Sequence, residues 1–252
     1  REAGAVFLGK TVTVQFATGR TSPKTRNPWN PDLTPGGSSS GSGAAVAARQ
    51  VPAALGTQTG GSVLRPASYC GVVGLKPTFG RISRYGVFPL SWSFDHPGIL
   101  VRSVADAALM LQVLARHDPR DPFSAEQEPE DFVSAVGQPG GRPRLGLLID
   151  LLERARPEVR EAAESSARRL AEAGAEVREV RLPVPMDLLL AIHLLIRGGE
   201  AAEIHAEQCF ELPEHYEPAL RAHIEVSQLV PAAVTVRAAR LRRRFRAQME
   251  EL

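Results

Sequence analysis

The chain has 252 residues, enough for one large domain or two small ones. Hydrophobic residues make up 43% and charged residues 23%, with a formal net charge of +2. That balance excludes a disordered chain and gives no electrostatic case for nucleic acid or an acidic membrane surface. The two cysteines, Cys70 and Cys209, make no disulfide framework, so a reducing cytoplasm is the expected location. No apolar run reaches the roughly 20 residues that span a bilayer.

In chain order, Arg1–Gly4 reads as the end of a helix, and residues 246–252 read as a helix cut short, so an internal fragment is expected. Residues 5–8 and 12–17 are predicted as short strands. Residues 18–37, rich in Gly, Pro, Asn and Thr, form a long irregular stretch of the kind that is usually functional or disordered. Residues 39–50 predict a helix of almost exclusively small side chains. Such a helix buries little area itself but lets neighbours approach its backbone, so it is expected at the centre of a domain.

Residues 51–76 are apolar and glycine-rich. Ser103-Val-Ala-Asp106 resembles a capping box and predicts a helix to about Ala115. Residues 118–142 are charged and Pro-rich, a linker or surface excursion. A strand at Leu145–Ile149, a helix over about 157–173 and a strand around Val177–Leu182 predict a parallel βαβ unit. From about Met186 the pattern is mostly helical.

Two segments carry the chemistry: Thr34-Pro-Gly-Gly-Ser38-Ser-Ser-Gly-Ser-Gly43, and Ala54-Leu-Gly-Thr-Gln-Thr59-Gly-Gly-Ser62-Val-Leu-Arg-Pro-Ala67. Three readings compete. A phosphate loop has the right glycine spacing at Gly36 and Gly41, but Ser42 occupies the lysine position and no apolar strand leads in. A nucleophile elbow matches Gly37-Ser-Ser-Ser-Gly41 formally, but no His stands in a comparably marked context. A flexible Gly/Ser linker is the plain reading, opposed by the Ala-rich helix and the second Gly-Gly-Ser.

Both segments resemble the amidase signature family. So do their flanks: Leu8-Gly-Lys-Thr11, Thr25-Arg-Asn-Pro-Trp-Asn30, Tyr69-Cys-Gly-Val-Val-Gly-Leu-Lys-Pro-Thr78 and Val101-Arg-Ser-Val-Ala-Asp-Ala-Ala108. The likeness runs from residue 1 to about 115. It implies an α/β fold, a mixed β-sheet surrounded by helices. It also implies one domain over 1–252, with a core of about 1–115 and a peripheral βα and helical region of about 143–252.

The resemblance implies a Ser–cis-Ser–Lys relay, with Ser62 as nucleophile and Ser38, preceded by a cis peptide bond, as the bridging serine. A serine hydroxyl needs a base to attack an amide. Thr59, Gly60 and Gly61, with Ser62, are implied as the oxyanion-hole segment, where losing one donor raises a barrier by about 2.7–4 kcal/mol. The family's catalytic Lys lies in a Val-Lys-Asp-like segment upstream of Leu8-Gly-Lys-Thr11. Lys10, Lys24 and Lys76, the chain's only lysines, match other positions. The chain alone is therefore expected to be inactive.

The implied reaction is hydrolysis of a linear carboxamide through an acyl-enzyme, with a small-molecule amide as partner and no metal or organic cofactor. A homodimer is compatible with the sequence. The alternatives are an A-type component of an amidotransferase that makes ammonia for a partner, and a non-catalytic scaffold. Gln58, where many members have Asp, and the run Ser-Ser-Ser-Gly-Ser point to the general amidase branch.

Four other features have plainer readings. Cys70 reads as a buried inert thiol. His205 and His215 read as surface or capping residues. The arginines between 237 and 246 read as a solvated helix face. Arg65 reads as half of a structural ion pair, with contact to a substrate carboxylate as the sharper alternative.

Overall fold

The structure, a computed structural model, describes residues 3–18, 24–128, 130–138 and 140–252. Residues 1 and 2 of the predicted N-terminal helix end, and 19–23 of the long loop, lie outside the described residues. The chain divides into two compact units, one of 1–137 with 197–230 and one of 138–196 with 231–252.

The first unit is built on α1 (Ser40–Ala47), β1 (Ala53–Gln58), α2 (Leu64–Cys70), β2 (Val73–Leu75), β3 (His96–Val101) and α3 (Val104–Leu114). The three strands form an antiparallel sheet in the order β1-β3-β2, with Gln58 opposite His96 and Ala53 opposite Val101. The central strand β3 is buried on both faces, which is why it reads Gly-Ile-Leu-Val without polar alternation. Leu100 points to one side, packing with Val46 of α1 and with Val63 and Ala67 at α2. Ile99 and Val101 point to the other, packing with Ala107 of α3. The sheet is thus sandwiched between helices, the α/β arrangement expected.

Ser103 caps α3 as its motif predicts: its Oγ accepts from Asp106 N at 3.1 Å, and the hydroxyl donates to the Asp106 carboxylate at 2.7 Å. α1 is the small-residue helix, and its packing explains its composition. A Cβ on Gly41 would stand 2.5 Å from Val12 N and 2.8 Å from Val12 O.

Of the predicted excursion 118–142, the described residues up to 137 lie in this unit and include the short helix α4 (Phe132–Ala135). Buried Asp121 accepts from Arg84 N at 2.8 Å, and the Arg84 guanidinium lies over both the Phe79 and Phe123 rings, which also contact each other edge to face.

The strands predicted at 5–8 and 12–17 are not formed. Residues 5–14 have no ladder partner, and Gln15–Ala17 is a single 3-10 turn. The backbone groups of this stretch bond to the serine-rich loop instead: Val14 N donates to Ser38 O at 3.2 Å, and Val12 O accepts from Gly41 N at 2.9 Å.

The second unit carries the predicted βαβ pattern: β4 (Arg144–Leu148), α5 (Ile149–Arg154), α6 (Pro157–Glu172) and β5 (Glu176–Val180). β4 and β5 pair in parallel, with Leu145 opposite Val177. Pro157 starts α6 at a position where its missing N–H costs nothing. Helix α7 (Met186–Glu211) begins in this unit and continues into the first, where α8 (Pro218–Gln228) follows; α9 (Ala232–Glu250) belongs to the second. Arg237, Arg240, Arg243, Arg244 and Arg246 on α9 are exposed, as a solvated face requires.

His205 is not a surface residue. It is fully buried on α7 among Phe16, Phe88 and Tyr216. Its Nε2 lies 3.2 Å from Pro89 O, a pure acceptor, so the neutral ring carries its proton there. Burial holds its pKa below the usual histidine value. The apolar surface available on one face of α7 outweighed the residue's polarity, which single-residue reading does not capture.

Candidate active site

Two loops meet at the end of the antiparallel sheet. The first, ahead of α1, holds Ser38; the second, between β1 and α2, holds Thr59, Gly60, Gly61 and Ser62. Their backbones are joined by a hydrogen bond from Ser39 N to Ser62 O at 3.3 Å. Ser38 is 4% exposed and Ser62 5% exposed. The Gly37–Ser38 peptide bond is cis. Gly36 precedes it at φ +79°, a left-handed conformation, and a Cβ there would lie 2.9 Å from Pro66 Cα.

Side chains at the start of α1 hold the first loop against the sheet. Ser39 Oγ donates to Thr57 O and accepts from Thr57 N, both at 3.2 Å. Ser42 Oγ donates to Leu55 O at 2.7 Å, and Thr11 Oγ1 lies 2.8 Å from Ser42 Oγ. Ser39 and Ser42 are thus spent on docking α1 to β1. Ser38 O accepts from Thr13 Oγ1 at 3.0 Å.

The loop before Ser38 is tied to the far end of α2. Asn27 Nδ2 donates to Tyr69 O at 2.8 Å, and its Oδ1 accepts from Trp29 N at 3.0 Å. Trp29 Nε1 donates to Cys70 O at 2.7 Å, and the Cys70 thiol donates to Pro35 O at 3.4 Å. Burial pushes the Cys70 thiol pKa up, consistent with an inert structural cysteine.

The hydroxyl of Ser38 is buried and has no hydrogen-bond partner among the described residues, so it is not bonded to Ser62 Oγ. None of the chain's lysines reaches it. Lys76 Nζ donates to Pro77 O at 2.7 Å, and Lys10 and Lys24 are exposed. Burial lowers the Lys76 pKa, but its hydrogen bond goes to the neighbouring Pro77 carbonyl and not to a serine.

The backbone N–H groups of Gly60, Gly61 and Ser62 donate to no acceptor among the described residues. Ser62 sits just before α2, whose first donors are otherwise satisfied: Val63 N and Leu64 N both donate to Gln58 Oε1, at 2.9 and 3.0 Å. Thr59 Oγ1 donates to Asp95 Oδ1 at 2.5 Å. Asp95 carried no signal in the sequence, and Gln58 was visible only as a departure from the family pattern. Asp95 also walls a cavity of about 190 Å³ with Tyr85, Trp92, Arg120 and Phe123.

Arg65 is exposed, and its guanidinium runs beside Gly61, with Nη2 3.6 Å from where a Gly61 Cβ would stand. The expected structural ion pair is not formed: Arg65 has no salt bridge among the described residues. No group of three or more His, Cys, Asp or Glu able to hold a metal occurs among them. No helix of the described residues is long and apolar enough to cross a membrane.

A loop turning into a small-residue helix, facing a Thr-Gly-Gly-Ser turn across a sheet end, defines a class, and comparison with known proteins places the chain in it. The sequence profile of the Amidase family matches residues 1–252, and the chain belongs to that family, the amidase signature enzymes. It is 43% identical over 244 residues to an amidase of Pseudomonas putida, covering 96% of this chain and 52% of that one. It is 49% identical over 185 residues to the A component of the glutamyl-tRNA(Gln) amidotransferase of Rubrobacter xylanophilus, covering 71% of this chain and 38% of that one.

Among solved structures, one described as a vestigial protein complex bearing on the origins of an s-triazine catabolic enzyme matches with a TM-score of 0.89 and 38% identity. The match covers 98% of this chain and 54% of that one. A 6-aminohexanoate cyclic dimer hydrolase complexed with substrate matches with a TM-score of 0.85 and 32% identity, covering 99% of this chain and 55% of that one. The chain spans about half the length of the curated relatives it matches.

Proposed function

We propose that the protein hydrolyses a linear carboxamide to a carboxylate and ammonia or an amine, with Ser62 as nucleophile and Ser38 as the proton relay. The observation that carries this is the buried, unpartnered Ser38 hydroxyl beside a Thr-Gly-Gly-Ser turn that keeps three successive N–H groups unpaired. A buried hydroxyl without a partner costs about 1–3 kcal/mol, which a relay base bonded to it would recover. The unpaired N–H groups are the donors a tetrahedral oxyanion requires.

The chemistry then runs in two halves. A neutral base takes the Ser38 proton while Ser38 takes the Ser62 proton, and Ser62 Oγ attacks the amide carbonyl. The C–N bond breaks as the relay returns a proton to the departing nitrogen. Water, activated by the same relay, attacks the ester carbonyl and releases the carboxylate. No lysine of these 252 residues is placed to be the base, so that lysine is proposed to come from sequence outside them. All 252 residues belong, on this reading, to one amidase domain made of both units.

A second reading has a specific observation behind it: relatives at 42–49% identity include the A components of several glutamyl-tRNA(Gln) amidotransferases. Under it, the same acyl-enzyme would release ammonia to a partner protein. Ammonia release from simple aliphatic and aromatic carboxamides by the whole protein alone supports hydrolysis. Ammonia release from glutamine alone, and only with partner proteins present, would support the second reading instead.

A further inference from the structure

We infer that Asp95 and Gln58 are positioning residues that clamp the catalytic turn from both sides, an inference that rests on the amidase reading of Ser62. Gln58 is the last residue of β1 and is 6% exposed. Its Oε1 spans the whole Thr-Gly-Gly-Ser turn and accepts from the two N–H groups that follow Ser62, Val63 N and Leu64 N. It does from a distance what an N-cap side chain does locally, because Val63 at the N-cap position of α2 supplies no side-chain acceptor.

Asp95 holds the other end. It is 8% exposed, and its Oδ2 accepts from Leu90 N at 2.7 Å and from Ser91 N at 2.8 Å, while Oδ1 accepts from Thr59 Oγ1. A buried carboxylate with three donors is rigidly oriented, and its bonds are charge-assisted. Asp95 stands immediately before β3, whose first residue, His96, lies opposite Gln58. The two anchors therefore start from neighbouring positions on paired strands. One fixes the turn at Thr59, the other fixes it just beyond Ser62, and the unpaired N–H groups of Gly60, Gly61 and Ser62 lie between.

Neither residue is a catalytic residue, since neither is placed to touch the reacting atoms. Their effect is geometric: an oxyanion donor works only within a few tenths of an ångström of its best position, and a misplacement of about 1 Å costs about 100-fold in rate.

The test uses the whole protein with an amide it hydrolyses, four variants and two readouts. Thr59→Val removes the donor to Asp95 at constant shape, and Gln58→Met removes the acceptor at nearly constant length. Each is expected to lower kcat about 10–100-fold with KM changed less than about threefold. Gln58→Glu, which keeps the acceptor, is expected to recover at least about fivefold of the Gln58→Met loss. Thr59→Val combined with Gln58→Met is expected to lose more than either single variant, because the two contacts hold opposite ends of the turn.

Amide hydrogen exchange is the second readout. It is expected to speed up about tenfold at Val63, Leu64 and Arg65, the hydrogen-bonded amides that follow the turn, in Thr59→Val and Gln58→Met while β1 and β3 keep their protection. Folded variants with unchanged kcat, a loss confined to KM, or exchange that rises uniformly along the sheet would overturn the clamp. A wild type that hydrolyses no amide would count against the proposed function, and exchange at Val63, Leu64 and Arg65 would still decide the clamp.

Discussion

The backbone N–H of Ser39 donates to the carbonyl of Ser62 at 3.3 Å, so residues 23 positions apart in sequence are joined directly at the sheet end. That bond, and not a bond between the two side chains, brings the Ser38 and Ser62 loops together. Ser38→Ala and Ser62→Ala therefore leave the junction intact. Both variants are expected to fold with wild-type melting temperatures, within about 3 °C. Amide hydrolysis is expected to fall about 1,000-fold or more for Ser62→Ala, and about 100-fold or more for Ser38→Ala. Steady-state kinetics beside circular-dichroism melting checks both statements.

The close approach of α1 to residues 11–14 predicts a stability cost. An alanine in a helix interior ordinarily gains about 1 kcal/mol over glycine. At Gly41 the added Cβ would lie 2.5 Å from Val12 N, so Gly41→Ala is expected to destabilise by about 1–3 kcal/mol instead. Gly140→Ala, where a Cβ meets nothing within 4 Å, is the control and should be near neutral. Urea unfolding midpoints compare the two.

Burial lowers the pKa values of His205 and His96 below the ordinary 6.5. Above that value both the folded and unfolded chains hold these rings neutral. As pH falls through it, the unfolded chain takes up protons that the folded chain resists, so stability is lost on acidification. Wild type is expected to lose stability between about pH 7.5 and 5.5. His205→Phe, which keeps an aromatic ring against Phe16, should lose less over the same interval. Unfolding free energies at the two pH values measure the difference.

Arg65 carries no ion pair among the described residues, and its guanidinium lies along Gly61 of the Thr-Gly-Gly-Ser turn. We propose that its charge meets the acyl end of the substrate. Arg65→Met is expected to raise KM about 10–100-fold for amides whose acyl chain ends in a carboxylate, with a much smaller effect on neutral amides of equal length. Kinetics on a matched pair of substrates decides it, and an equal loss on both would assign Arg65 to structure.

Much of this is legible in the sequence. Helix α3 with its Ser103 cap, the parallel β4–α6–β5 pattern and the small-residue helix α1 each rest on local chemistry that a sequence displays. The two serine segments are legible as motifs. The strands read at 5–8 and 12–17 fail because apolar alternation says nothing of which partner the backbone finds; at Val12 and Val14 those partners are Gly41 N and Ser38 O. His205 defeats a single-residue reading because burial depends on what packs around a helix face. Asp95 is invisible because its link to the turn is a bond from Thr59, 36 residues earlier.

The most direct measurement is mass spectrometry of an acyl-enzyme trapped during turnover of an amide, with the adduct mapped by peptide fragmentation. The account predicts an added acyl mass on Ser62, lost on incubation in water and absent from Ser62→Ala. Turnover with the adduct on another residue, or undiminished turnover by Ser62→Ala, would contradict it.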